Sequence, residues 1–184
     1  LVYDGIMFLP NVEDIVQALD ATTGDLLWEY RRALPDNIAG VTGTRYRYRN
    51  VSIYDDKILL ATNDAFLVAL DARTGAIRWE RELHSAAPGI ARHIKNSFAS
   101  ETPVTDGRRV YVYFGTAGVV GALNMSGETV WFADLGAYET TGGFGSAASP
   151  ILHGDRLYIV NDNVARSFMV AIDKNTGKEI WRVD

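Results

Sequence analysis

The chain has 184 residues, and its 18 lysines and arginines against 23 aspartates and glutamates give a net charge of −5. This acidic balance argues against a nucleic-acid partner held through phosphate neutralisation, which needs a basic surface. Hydrophobic residues make up 47% of the chain, yet no run approaches the roughly 20 apolar residues that span a bilayer. We therefore expect a globular chain with a packed core, no nucleic-acid partner and no membrane insertion.

Four similar segments repeat along the chain, at residues 18–28, 69–79, 122–131 and 171–181. Three of them contain Asp-x-x-Thr-Gly, and the third contains Asn124 and is one residue shorter. Every tryptophan of the chain closes one segment, with separations of 51, 52 and 50 residues. A fixed period of this length is typical of repeat architectures in which each unit packs on its neighbour.

Each segment follows two short apolar runs joined by a turn dipeptide. The dipeptides are Asp4-Gly5, Asp55-Asp56, Asp106-Gly107 and Gly154-Asp155, which suit the backbone of tight hairpins. Every unit therefore predicts four strands, the last of which carries the tryptophan. In the Asp-x-x-Thr-Gly turn, the aspartate is expected to accept hydrogen bonds from turn amides, and the glycine to take a left-handed backbone.

A four-stranded unit of about 50 residues cannot bury both of its faces alone, so the units must stack. The sequence predicts an all-β fold, a β-propeller of four-stranded antiparallel blades that comprises half of an eight-bladed ring. We expect one propeller segment over residues 1–184, with blades at 1–30, 50–82, 101–135 and 147–184. The tryptophans are the predicted wedges between blades.

The Ala-x-Asp-x-x-Thr-Gly-x-x-x-Trp unit resembles the repeat of quinoprotein alcohol dehydrogenases, which carry pyrroloquinoline quinone (PQQ). Residues 1–82 are most similar to those enzymes. Residues 83–184 are more similar to PQQ-like repeat proteins without catalytic activity, among which is the propeller lipoprotein of outer-membrane protein assembly. The resemblance implies PQQ and Ca²⁺ as cofactors, alcohol oxidation in an intact parent that this part does not catalyse alone, and a periplasmic or secreted location.

The resemblance assigns Arg49 to contact with the quinone, while Gly43-Thr44 stand where the enzymes have adjacent cysteines. It also implies a Ca²⁺-ligating glutamate between the second and third strands of blade three. The matching stretch, residues 114–121, contains no carboxylate. The expected calcium glutamate is therefore missing there.

Arginine and tyrosine alternate from Arg45 through Arg47 to Arg49. In an extended strand this alternation places three guanidiniums on one face, which suits a tricarboxylate such as PQQ because arginine binds carboxylates in a bidentate manner. A solvated strand edge explains the same pattern.

The remaining polar motifs indicate loops rather than a reaction centre. His84, His93 and His153 fit no metal-ligand spacing, the segment 161–163 indicates a polar turn, and the segment 141–146 a connection into blade four. Two further hypotheses thus stand beside the dehydrogenase: a non-catalytic scaffold that binds protein or carbohydrate, and a purely architectural ring. Uncovered faces of the first and last blades predict self-association or pairing with the missing half of the propeller.

Overall fold

The computed structural model describes residues 1–34, 50–83, 100–146 and 148–184. Within these ranges, sixteen strands form four antiparallel sheets of four strands each, and in every sheet neighbouring strands follow one another in the chain. The first two sheets contain β1 Val2–Tyr3, β2 Ile6–Asn11, β3 Ile15–Asp20, β4 Leu26–Arg31, β5 Val51–Tyr54, β6 Lys57–Ala61, β7 Phe66–Asp71 and β8 Ile77–Glu82. The last two contain β9 Val104–Thr105, β10 Arg109–Phe114, β11 Val119–Asn124, β12 Thr129–Asp134, β13 Ile151–His153, β14 Arg156–Asn161, β15 Phe168–Asp173 and β16 Glu179–Val183.

The all-β fold of four four-stranded blades is thereby confirmed. Two short 3₁₀ turns, Val12–Asp14 and Thr141–Gly143, are the only helical segments in the described part of the chain. No helix there is long and apolar enough to cross a membrane.

The tryptophans join each blade to the next. The indole nitrogen of Trp28 donates to the carbonyl oxygen of Ala72 at 3.1 Å, and Trp79 and Trp131 donate equivalently to Met125 and Lys174, each at 2.9 Å. Each contact reaches the turn between the third and fourth strands of the following blade, which is Asp-x-x-Thr-Gly for Trp28 and Trp131 and the shorter Asn124 turn for Trp79. The repeated sequence motif therefore also provides the contacts by which the blades stack. The predicted wedge role is observed at these three junctions.

The glycine of that turn is required by the tryptophan as well as by its backbone. Gly75 has a φ of 72°, and a Cβ added there would lie 2.6 Å from the ring of Trp28. Gly24 has a similar φ of 80°, but nothing lies within 4 Å of its added Cβ. Substitutions at Gly24 and Gly75 therefore distinguish the cost of backbone strain alone from the added cost of a clash with tryptophan.

The turn aspartates behave as predicted. Asp20 Oδ1 accepts from the amides of Thr22 and Thr23 at 2.7 and 3.1 Å, and these hydrogen bonds hold the pKa of Asp20 below its usual range. In the shorter third turn, Asn124 Oδ1 accepts from the amides of Ser126 and Glu128 instead.

The core lies between the sheets. Its main apolar clusters join blades one and two, blades two and three, and blades three and four. The central strands of blades two and three are buried on both faces, whereas Val160 and Met169 on the outer face of blade four are exposed. Stacking of neighbouring blades therefore supplies the burial that one blade lacks.

Candidate functional site

A buried carboxylate lies between blades three and four. Glu101 precedes β9 and is 4% exposed, and its Oε1 accepts a hydrogen bond from the amide of Gly115 at 3.1 Å. Its Oε2 is buried and has no hydrogen-bond partner within the described ranges. Buried polar atoms nearly always have partners, so this oxygen is an exception within the described ranges.

Gly115 allows three distant segments to meet at this carboxylate. A Cβ on Gly115 would lie 2.6 Å from Glu101 Oε1 and 2.4 Å from the Cβ of Ser146. Glu101 comes from the entrance to β9, Gly115 from the turn after β10, and Ser146 from the loop before β13. Any side chain at position 115 would therefore displace Glu101 or Ser146.

Burial controls the charge of Glu101. Desolvation raises its pKa to about 8, against an ordinary value of 4.5, although hydrogen bonds from the backbone and from Ser146 oppose the rise. At neutral pH the carboxyl group is thus mostly protonated, and it can donate one hydrogen bond as well as accept one. Glu101 is therefore a neutral polar group.

Polar side chains extend from this carboxyl into blade four. Asn161 Nδ2 donates to the Tyr113 hydroxyl at 2.7 Å, and Asn163 Nδ2 donates to Asn161 Oδ1 at 2.9 Å. Burial raises the pKa of Tyr113 to about 12, and the nearby Glu101 adds to the rise. The Ser146 hydroxyl interacts with both acids and lowers the pKa of each. These contacts fix the orientation of the two amides.

A cavity of about 340 Å³ adjoins the same cluster. Ser146 belongs to its wall and also interacts with Glu101, so it connects the buried carboxyl with the cavity lining. The lining residues are Thr140, Thr141, Phe144, Gly145, Ser146, Ala148, Val160 and Asp162. The segment 141–146, which the sequence predicted as a plain connection, therefore includes a 3₁₀ turn and forms one wall of a cavity.

The junction of blades one and two is polar in a different way. Asp14 accepts from the Asn63 amide at 2.7 Å and from Asn63 Nδ2 at 3.0 Å. Arg32 binds both oxygens of Asp64 at 2.7 and 3.0 Å and one oxygen of Glu80 at 3.0 Å. Because the partly buried Arg32 and Asp64 are paired with each other, these contacts stabilise the junction without requiring another group.

The predicted quinone contacts cannot be placed. Arg45, Arg47 and Arg49 lie outside the described residues, as do His84 and His93, and the assignment of Arg49 to the quinone stays a prediction. His153 lies exposed in β13. The sequence analysis looked for a carboxylate within the turn at Gly115 and did not identify Glu101. Glu101 reaches this turn from a position 14 residues earlier in the chain.

The described residues do not fit a calcium ion. Calcium takes roughly six to eight oxygen ligands, with carboxylates prominent among them. Glu101 brings one carboxylate to the turn, and its Oε1 already accepts from Gly115. Within the described ranges, no three His, Cys, Asp or Glu side chains are grouped as metal ligands.

Known dehydrogenases share part of this sequence. Over 137 residues the chain is 33% identical to quinoprotein alcohol dehydrogenase PedH of Pseudomonas putida, and over 141 residues it is 32% identical to quinoprotein ethanol dehydrogenase of Pseudomonas aeruginosa. Each alignment covers 71% of this chain and 22% of the relative. The chain thus spans about a fifth of the length of these relatives.

Solved structures share the fold. Quinohemoprotein alcohol dehydrogenase ADHIIG from Pseudomonas putida HK5 matches all of this chain with a TM-score of 0.77 at 21% identity, which covers 33% of that protein. BamB from Moraxella catarrhalis matches 98% of this chain with a TM-score of 0.62 at 18% identity, which covers 61% of that protein. A family model described as outer membrane protein assembly factor BamB matches residues 1–183. The chain therefore belongs to this family of PQQ-repeat β-propellers.

Proposed function

We propose that the chain is a non-catalytic binding scaffold within a PQQ-repeat propeller, and that its ligand is recognised where blades three and four meet. The observation that carries the proposal is Glu101, a buried and mostly neutral carboxyl group whose Oε2 lacks a partner within the described ranges. Ser146, which interacts with this group, also lines a cavity of about 340 Å³. A neutral acid suits hydrogen bonding to a polar ligand better than it suits binding of a cation.

Quinone-dependent alcohol oxidation by an intact parent is the second candidate. The names and the 32–33% identity of the dehydrogenase relatives favour it. It requires Arg49 to contact PQQ, and it requires calcium ligands beyond those of the described residues. On either hypothesis we propose a periplasmic or secreted location, by similarity to the family.

The two candidates differ in whether the chain binds PQQ, and the quinone candidate assigns that contact to Arg49. PQQ is titrated with and without Ca²⁺ into the wild type, Arg49→Ala and the control Arg81→Ala, which changes an exposed arginine, and tryptophan quenching is measured. The scaffold predicts no saturable Ca²⁺-dependent quenching in any of the three. Saturable quenching in the wild type and in Arg81→Ala that is lost in Arg49→Ala would contradict it and establish a quinone site.

The outer face of blade four supports a proposal about partners. Met169 and Val183 expose apolar surface on this sheet, and patches of this kind commonly mark association sites. We propose that this face packs against another blade, from a second copy or from the rest of the propeller. Analytical ultracentrifugation of the chain should show association that weakens in Met169→Asp; a monomer at all concentrations would contradict pairing between copies.

A further inference from the structure

We infer that the cavity beside Ser146 binds one pyranose unit of a neutral carbohydrate. The inference rests on the proposed binding function and names the ligand class of that site. The cavity lining combines polar and apolar side chains, which matches the hydroxyl and C–H groups that a sugar ring presents.

The polar side offers hydroxyls and one carboxylate. Thr140, Thr141 and Ser146 contribute hydroxyl groups, and Asp162 contributes the carboxylate. Asp162 Oδ1 accepts from the Ser167 hydroxyl at 2.6 Å, which orients the group. Because a carboxylate has about four lone-pair sites, Asp162 retains capacity to accept from neighbouring hydroxyls of one ligand.

The apolar side consists mainly of Phe144 and Val160. Phe144 is 59% exposed and Val160 is 44% exposed. A Cβ on Gly142 would approach the Phe144 ring to 2.9 Å, so the glycine leaves room for the ring in its place. An aromatic ring with an exposed surface can pack against the C–H groups of a pyranose ring while polar lining residues bind its hydroxyls.

Size and charge limit the ligand. Ligand sites usually occupy roughly 300–1,000 Å³, so a cavity of about 340 Å³ suits a single ring with its substituents. Asp162 is the one charged side chain among the lining residues that the structure describes. It opposes an anionic sugar, and we therefore expect a neutral pyranoside to bind better than the corresponding uronate.

Saturation-transfer NMR on the whole chain tests the inference. The probes are the methyl pyranosides of glucose, galactose and mannose, with glucuronate as the charged comparison. We expect at least one neutral pyranoside to bind, with affinity reduced about tenfold or more in Phe144→Ala and in Asp162→Asn. The matched control is Phe132→Ala, which removes an aromatic ring that is 44% exposed on β12 and does not line the cavity.

The outcomes separate the inference from the proposed function. No binding of any neutral pyranoside, or binding that Phe144→Ala leaves unchanged, overturns the carbohydrate site. If Ca²⁺-dependent binding of PQQ that requires Arg49 is found instead, the scaffold function fails as well. Preferred binding of glucuronate over the neutral sugars would also overturn the inference, because Asp162 would then not face the ligand.

Discussion

Replacing Glu101 by glutamine should abolish a pH-dependent loss of stability that the wild type shows between pH 4.5 and about 8. Burial raises the pKa of Glu101 from 4.5 to about 8, so the folded chain holds this proton more tightly than the unfolded chain does. The resulting stabilisation is fully present below pH 4.5 and is lost as the pH rises towards 8. Each pH unit is worth ~1.4 kcal/mol, which gives roughly 3–5 kcal/mol over the interval.

Urea unfolding followed by tryptophan fluorescence measures this effect. Because glutamine reproduces the neutral acid, the wild type and Glu101→Gln should agree within about 1 kcal/mol at about pH 5, whereas the variant should be more stable by roughly 3–5 kcal/mol at about pH 8. The control Glu82→Gln changes an exposed glutamate and should follow the wild type. Parallel curves for the wild type and Glu101→Gln would refute the reasoning.

Five further substitutions test the junctions by the same unfolding assay. Gly75→Ala should lower the free energy of unfolding by about 2–4 kcal/mol, because its Cβ meets a tryptophan ring 2.6 Å away. Gly24→Ala introduces the same backbone strain into open space and should lower it by about 1 kcal/mol. Equal losses would contradict the contact between Gly75 and the tryptophan. Tyr113→Phe should cost about 1–3 kcal/mol because it leaves a buried amide donor unpaired, and a neutral effect would show that this bond contributes nothing. Arg32→Ala should cost about 2–4 kcal/mol of unfolding free energy, since it leaves a carboxylate that is 15% exposed unpaired. Arg32→Lys should restore only part of the loss, because the guanidinium donates to Asp64 from Nε and to Glu80 from Nη1; full restoration would contradict this pairing with two carboxylates.

The blades could be predicted from the sequence because each carries its own local signals. Asp71 and Gly75 set a turn within a few residues of each other, and Trp79 marks the outer strand. These signals recur in all four units, so the strand number, the antiparallel order and the tryptophan contacts all follow from one repeat.

The candidate site could not be predicted in the same way. Glu101, Gly115 and Ser146 are separated by 14 and 31 residues and meet only after two blades have stacked. Nothing in the sequence near Glu101 indicates burial, since its neighbours include serine and threonine. Sequence reasoning searched the turn at Gly115 for a local carboxylate, and the carboxylate there comes from another strand. Contact of Arg45, Arg47 and Arg49 with a quinone stays a prediction.

The protonation of Glu101 tests the account most directly, because the stability effect and the binding proposal both depend on a neutral acid in this position. Its carboxyl carbon can be followed by ¹³C NMR as the pH is raised, and it is assigned by its absence from the spectrum of Glu101→Gln. The account predicts a single titration with a midpoint near pH 8. A midpoint near 4.5, the ordinary value for glutamate, would show that Glu101 is ionised at neutral pH and would contradict the account.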